Sequence, residues 1–438
     1  MLKKTGLVVA VLGIAALSTF LMSCGSGSDR PSGLLYVVSQ SLSNISSYAV
    51  NLNNGNLSLI TNDLAPTCPP NTNSPCGLPL TMSIDPSGAT AFVLSQGAIS
   101  GFTVNGDGSL STPTTAATMP AGQTAVAMTA TAAGDLMAVI SIGAPNPTDC
   151  LQDGQPYDPD TNDCPLISIY STQPGSTTAT LTGNNCAALN GPCPYVLSRI
   201  PTGVSLATSN IVGQTAQTLL FVSSNLDLTE AHKDSEVSMF FVDSSGNLTE
   251  QSESPYSAQA PNPLSVKAVN TNPSGQNIGG LFVYVGNQAA VTGSVSSWEV
   301  CTQIDSTCSS QADVDNKNMK VIGKVTSVGQ NPTSMLVDPT NTFLYVACYV
   351  GNNVYAFRIT TGTGILNPMS PALEPTGAGP VALAMHASVN NTNEFLYVAN
   401  NTGSTISGYT VNLTSGALSN PMAPFIFTPG NPYGVAGK

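Results

Sequence analysis

Charge is what this sequence has least of. Charged side chains make up 8% of its 438 residues, against roughly a quarter in average soluble proteins. Arginine occurs only at Arg30, Arg199 and Arg358, histidine twice and tryptophan once. Each shortage excludes something. Long amphipathic helices need Glu, Lys, Gln and Arg along their wet faces, and too few are present. A nucleic-acid surface needs Lys and Arg to displace counterions from phosphate. At a net charge of −13 the chain offers the opposite field, so nucleic acid is excluded as a partner. A zinc site is poorly served as well, because no CxxC occurs and the two histidines lie far apart.

What the chain does have is Gly (40) and Pro (32), with Ser, Thr and Asn at most other polar positions. Uncharged polar residues and turn formers suit short strands joined by tight turns. The composition reads as all-β.

Residues 1–24, MLKKTGLVVAVLGIAALSTFLMSC, have the order of an export signal. Lys3 and Lys4 precede an apolar run from Leu7 to Leu21, which is short for a transmembrane helix. Leu21-Met22-Ser23-Cys24 resembles a lipobox, with small Ser23 directly before the cysteine. The reading is a lipoprotein signal peptide over 1–23 with lipidation at Cys24; a plain signal peptide is the rival. Residues 24–33 form a Gly/Ser-rich flexible tether. A diacylated cysteine anchors stably in a membrane. Gly25 in place of Asp favours the outer membrane of a Gram-negative cell. The expected location is the cell envelope, outside the cytoplasm.

Nine cysteines remain, and eight form near-neighbour couples: Cys68/Cys76, Cys150/Cys164, Cys186/Cys193 and Cys301/Cys308. Sequence does not fix connectivity, but local pairing is the simplest solution, and an exported protein meets the oxidising conditions it needs. The odd one, Cys348, lies inside the apolar run FLYVACYV and reads as an inert strand thiol.

A repeated module dominates the chain. LLYVVSQSLSNISSYAVNLNNGNLSLI from Leu34, LFVYVGNQAAVTGSVSSWEV from Leu281, FLYVACYVGNNVYAFRITTGTGILNP from Phe343 and FLYVANNTGSTISGYTVNLTSGALSNP from Phe395 share one plan. An apolar strand ends in a small or polar residue, a loop follows, then an alternating strand, a turn and a short strand. Upstream of most copies stands another apolar strand, opening near Pro: LPLTMSIDPSG, NPTSMLVDPTN, GPVALAMHASVNN. Four strands per unit is the requirement of a propeller blade, which buries its faces only by stacking on neighbours. Six complete units span 78–115, 124–182, 201–252, 262–327, 332–372 and 380–422. Residues 33–61 supply three strands and lack the innermost one, while Gly430–Lys438 is an innermost-type segment without a blade. Joined, they make a seventh blade and close the ring without an exposed edge. The expected architecture is a seven-bladed β-propeller over 34–438, monomeric.

The runs Tyr397–Ser419 and Tyr345–Ile359, with DPSG at Asp85 and DPTN at Asp338, resemble YVTN-type repeat proteins. These stand with the seven-bladed propeller lactonase-like family, which includes 6-phosphogluconolactonase-like enzymes. The resemblance spans the mature chain and is sharpest after Asn331. It implies the propeller fold, and lactone hydrolysis as an activity to be weighed.

Propeller sites usually lie near the axis, where the innermost strands begin. Here that mouth is expected from Ile200-Pro201, Pro261-Asn262-Pro263, Asn331-Pro332, Gly379-Pro380 and Asn431-Pro432-Tyr433, with the loops between second and third strands. Calcium-dependent members of the family present carboxylates to a channel metal, and hard cations need several converging oxygens. The innermost strands LTMSI, AVAMTA, GVSLAT, LSVKAV, TSMLV, VALAM and YGVAG carry no carboxylate, so no central metal is expected. Asp158, Asp160 and Asn162 alternate as calcium ligands do, although no Gly turns the loop; the alternative is a disulfide-pinned acidic loop. A phosphogluconolactonase-like reaction needs a general base and basic groups for phosphate. The dense charge cluster NLDLTEAHKDSE (Asn225–Glu236) offers His232 as base with Glu230 or Glu236 to orient it; Arg358 and His386 are further candidates. No GxSxG elbow in a strand-turn-helix setting and no phosphate-cradling glycine loop occurs. Trp298, Tyr36, Tyr345, Tyr349 and Tyr397 lie in strand-like runs as core residues, with sugar stacking open to Tyr349 or Tyr433.

Two functions follow. One is an envelope binding scaffold presenting Asn-, Ser- and Thr-rich loops to a protein, peptide or glycan. The other is an extracytoplasmic lactone hydrolase. No cofactor is required by either.

Overall fold

The computed structural model describes residues 33–60, 65–69, 76–143, 154, 164–186, 191–209, 216–227, 235–271, 280–289, 291–388, 393–419 and 426–438, with backbone alone at 185–186 and 226–227. The expected signal peptide, Cys24 and the tether up to residue 32 lie outside them.

The fold is a seven-bladed β-propeller. Blade 1 comprises Pro79–Ile84, Thr90–Ser95, Ala98–Thr103 and Thr114–Thr118; blade 2 Thr124–Ala130, Leu136–Ile142, Leu166–Thr172 and Ala179–Thr182. Blade 3 comprises Arg199–Ser209, Gln217–Asp227, Glu236–Val242 and Leu248–Glu250; blade 4 Pro263–Asn270, Leu281–Asn287, Gly293–Val300 and Met319–Val321. Blade 5 comprises Pro332–Val337, Phe343–Cys348, Asn353–Ile359 and Leu366–Pro375; blade 6 Pro380–Ala387, Asn393–Asn400, Thr405–Asn412 and Ile426–Phe427. Every neighbouring pair is antiparallel. Among the described residues the one helix is Gln311–Asn316, capped by Ser310 in the outer connection of blade 4. None there is long and apolar enough to cross a membrane.

Blade 7 joins the two ends of the chain. Its innermost strand is Pro432–Gly437, followed outward by Leu34–Ser39, Asn44–Val50 and Leu57–Leu59. Tyr36 stands opposite Ala436 and Val37 opposite Val435. The main chains of Leu34 and Lys438 exchange hydrogen bonds of 3.0 and 2.9 Å. The seven innermost strands touch their neighbours in unbroken cyclic order, blade 7 lying between blades 6 and 1. The expected closure of the ring by the last strand is therefore present.

The second strand of each blade is covered on both faces by adjacent blades. A strand so placed needs an apolar run, not alternation, and LLYVVS, TAFVLS and FLYVAC are buried at every position. The repeated Tyr-Val has a specific use. Tyr284 of blade 4 donates to the Gly364 carbonyl in blade 5 (2.8 Å), and Tyr345 of blade 5 to Gly416 in blade 6 (2.8 Å). Tyr397 of blade 6 donates to Gly55 in blade 7 (2.7 Å), and Tyr36 of blade 7 to Gly108 in blade 1 (2.9 Å). Each hydroxyl reaches the outer turn of the next blade, where a glycine at positive φ exposes its carbonyl. A buried phenol requires such an acceptor. In blade 1 the equivalent residue is Phe92, and the link to blade 2 comes from Asp85, whose carboxylate accepts from the Gly175 N–H (2.9 Å). Burial pushes the Asp85 carboxyl up, but hydrogen bonds from Thr90, Gly175, Ser87 and Ala89 outweigh it and hold the pKa down at about 2.

Cys68–Cys76 and Cys301–Cys308 are disulfide-bonded, with Cα atoms 6.0 and 5.4 Å apart. Cys164 and Cys193 each take part in a disulfide as well; Cys150 and the Cys186 side chain, their expected partners, lie outside the described residues. Cys348 is unpaired and buried, and burial lifts its thiol to about 12. A thiol that remains protonated is inert.

Candidate functional site

One face of the ring is built from the entries to the innermost strands and from the loops between second and third strands. We call it the entry face. Its corners are made locally by sequence. Asn262, Asn331 and Gly379 take positive φ (52°, 56° and 68°) immediately before Pro263, Pro332 and Pro380. Asn and Gly tolerate that conformation, and proline then fixes the opening φ of the strand. A register shift follows each of these prolines. The corners are stitched to one another: Ser265 Oγ donates to the Pro332 carbonyl (3.0 Å), Thr333 Oγ1 to Pro380 (3.0 Å) and Asn401 Nδ2 to Pro432 (3.2 Å).

Aromatic side chains surface on this face in blades 5 to 7, Tyr349 and Tyr433 by the entry corners and Phe427 at the outer rim on the last strand of blade 6. Phe427 is 80% exposed and Tyr433 37% exposed. Tyr349, expected in a strand, instead occupies the turn after Cys348. It is half-buried, and its hydroxyl and that of Thr402 share a 2.9 Å hydrogen bond. The ring lies against Gly379, where a Cβ would stand 2.9 Å from Cε2. Leu42, Leu78, Val291 and Val350 are exposed on the same face.

The charged candidates among the described residues do not assemble there. Glu230 and His232 lie outside the described residues. Glu236 sits at the root of their loop, buried, with Oε2 3.6 Å from Arg199 Nη1. Arg199 also reaches Glu250 (3.4 Å) and donates to Ser238 Oγ (2.7 Å). Glu236 is thus engaged in a buried ion network between blades 2 and 3. Arg358 lies on the third strand of blade 5, stacks 4.7 Å over the Phe343 ring and donates to the Thr414 carbonyl (2.6 Å). His386, near the far end of the blade 6 innermost strand, turns Nε2 to a main-chain oxygen of Lys438 and Nδ1 to that of Ala387. Arg358 and His386 therefore lie toward the opposite face from Glu236. The calcium candidates Asp158, Asp160 and Asn162 lie outside the described residues.

Two groups that the sequence did not single out do stand apart. Glu299 in blade 4 is buried, and burial together with the Asp305 carboxyl raises its pKa to about 8. Ligand atoms of Glu299, Asp305 and Cys308 lie within 4.8 Å of one another, but the Cys308 sulfur is committed to its disulfide, leaving a carboxyl pair. The second group is Lys267, in the middle of the blade 4 innermost strand. Protein crowds it closely enough to lower its pKa by desolvation, yet part of its surface stays open. Its signal was visible as the one charged residue in LTMSI, AVAMTA, GVSLAT, LSVKAV, TSMLV, VALAM and YGVAG.

A sequence profile for the lactonase family of seven-bladed β-propellers matches residues 229–383. Among solved structures, a 6-phosphogluconolactonase-like protein from Bacteroides uniformis superposes with a TM-score of 0.57 at 13% identity, covering 93% of this chain and 99% of that one. One from Bacteroides fragilis gives 0.57 at 14%, covering 94% and 99%. A protein from Lactobacillus plantarum gives 0.56 at 14%, covering 93% and 99%. At these identities the likeness is one of fold. None of the curated proteins compared with the chain matches it significantly.

Proposed function

We propose that this protein is a lipid-anchored, extracytoplasmic propeller that binds carbohydrate on its entry face. The observation that carries this reading is that aromatic side chains surface on this face in blades 5 to 7, Tyr349 and Tyr433 by the entry corners and Phe427 at the outer rim. Aromatic rings stay exposed at a cost in water and offer flat apolar faces; sugar rings present matching C–H faces with hydroxyls at the rim. Asn401 and Thr402, fixed by their bonds to Pro432 and Tyr349, stand beside those rings with amide and hydroxyl groups. A surface so poor in fixed charge suits a ligand held by ring stacking and hydrogen bonds. The disulfides are compatible with an oxidising compartment.

The test is titration calorimetry with a panel of neutral oligosaccharides, comparing wild type with Tyr433→Ala and Phe427→Ala. Each truncation is expected to weaken binding by about 3- to 10-fold, the worth of one aromatic contact. Absence of binding across the panel, or binding that neither change weakens, overturns the reading.

A second reading is lactone hydrolysis, favoured by the profile match over 229–383. It requires His232 to meet a base-orienting carboxylate other than Glu236, which Arg199 holds. Acid release from a panel of lactones, abolished in His232→Ala, would establish it over the binding reading.

A further inference from the structure

We propose that the axial channel contains a binding site for a single carboxylate group, with Lys267 as its counter-ion, so that the sugar taken at the entry face is an acidic one, a uronic acid. The sugar part of this inference rests on the carbohydrate reading above; the carboxylate part does not.

The argument starts from position. Residues of the blade 4 innermost strand alternate between two neighbours. Val266 and Ala268 pack in the core shared with blade 3, whereas Val269 packs in that shared with blade 5. Ser265 bonds to Pro332 of blade 5, so Lys267 belongs to the side facing blade 5. Its neighbours in that row, Ser265 and Val269, are closed off, while Lys267 is not. A long side chain on an innermost strand that protein surrounds but does not seal opens into the axis.

No compensating charge is in place. Among the described residues Lys267 has no ion-pair or hydrogen-bond partner. Counting four residues on from the residue at the register shift near each strand's start, the other blades place Ser83, Thr129, Ser205, Leu336, Ala384 and Ala436 at the same level, all uncharged. Asp338 follows the blade 5 innermost strand, but its oxygens are taken by the N–H groups of Thr340, Thr342 and Phe343 and by the Thr340 hydroxyl. An ammonium held among uncharged groups is costly unless an anion meets it. Desolvation lowers the Lys267 pKa, and an arriving carboxylate would reverse that shift.

The chemistry of the site limits the anion. A lysine is a single point charge without the fork that arginine offers to phosphate, and no second cation stands at its level. One negative charge is matched, and a phosphate dianion is not.

D-glucuronate and D-glucose, which differ in charge at one carbon, are the probes, with inorganic phosphate as the third arm. Binding to the full chain is measured by calorimetry for wild type, Lys267→Met and Lys267→Gln. Reductive ¹³C-methylation supplies an NMR signal for Lys267, identified by its loss in Lys267→Met. Wild type is expected to prefer glucuronate over glucose by about tenfold, the worth of a charge-assisted hydrogen bond. Both variants should lose that preference while keeping glucose affinity, and glucuronate should shift the Lys267 signal. Preference retained in both variants, an unmoved signal, or tighter binding of phosphate than of glucuronate overturns the site. Lys267-dependent glucuronate binding without any glucose binding would instead sink the neutral-sugar reading of the entry face and leave the carboxylate site standing.

Discussion

The hydroxyl of Tyr397 donates to the carbonyl of Gly55 across 2.7 Å, joining positions 342 residues apart. This is the same clamp that Tyr284 and Tyr345 make between consecutive blades, used here at the seam where the ring must close. Tyr397→Phe leaves the Gly55 carbonyl without its buried donor and should cost about 1–3 kcal/mol. Urea unfolding would measure it. Tyr349→Phe, whose hydroxyl is exposed, should change stability by less than about 0.5 kcal/mol; an equal loss in the two variants would contradict the seam assignment.

Removal of Pro432–Lys438 strips blade 7 of its innermost strand and exposes the edge of Leu34–Ser39. Because that edge strand is apolar up to Ser39, the shortened chain is expected to aggregate or to bind a hydrophobic dye. Adding the excised segment as a peptide should restore a single cooperative thermal transition. A truncated chain that melts like the full one would refute closure.

Glu299 is a carboxyl raised to about 8 by burial and by Asp305. Its folded pKa lies above its unfolded value of 4.5, so between these the folded state holds the extra proton. Stability then falls as pH rises from about 4.5 through 8. Glu299→Gln removes this contribution. The variant should gain in melting temperature relative to wild type at pH 8 and show little difference at pH 4.5.

Glu236 is held by Arg199 in a buried network with Glu250 and Ser238. Arg199→Met removes the cation shared by Glu236 and Glu250, and removal of one partner from a buried pair typically costs about 3–5 kcal/mol. The loss should appear as a lowered urea midpoint at pH 7.

Much of this architecture is readable from the chain before any coordinates. Runs such as FLYVAC announce strands covered on both sides, and Asn-Pro or Gly-Pro marks the entry corners of blades 4, 5 and 6, since a left-handed residue before proline has few other uses. The two incomplete ends are legible for the same reason: three strands at one end lack what the other end supplies. The site is harder. Lys267 looks ordinary within PLSVKAVN, because strand periodicity reveals a side but not whether that side is sealed by a neighbour. Glu236 sits among other charges in its loop, and only the fold brings Arg199 to it from the innermost strand, two strands earlier. Tyr349 continues an apolar run and reads as strand; the hairpin ends earlier because Asn352 adopts positive φ and Tyr349 turns to meet Thr402.

The pairing of Leu34–Ser39 with Pro432–Gly437 is antiparallel, and its outermost bonds join Leu34 to Lys438. Both ends of the ring therefore depart from one rim. Tension applied between them loads these hydrogen bonds one after another, as a zipper is drawn, instead of shearing all of them together. In single-molecule pulling the closure should open first and at low force, whereas a handle moved to an interior turn would meet a ring that resists as a unit.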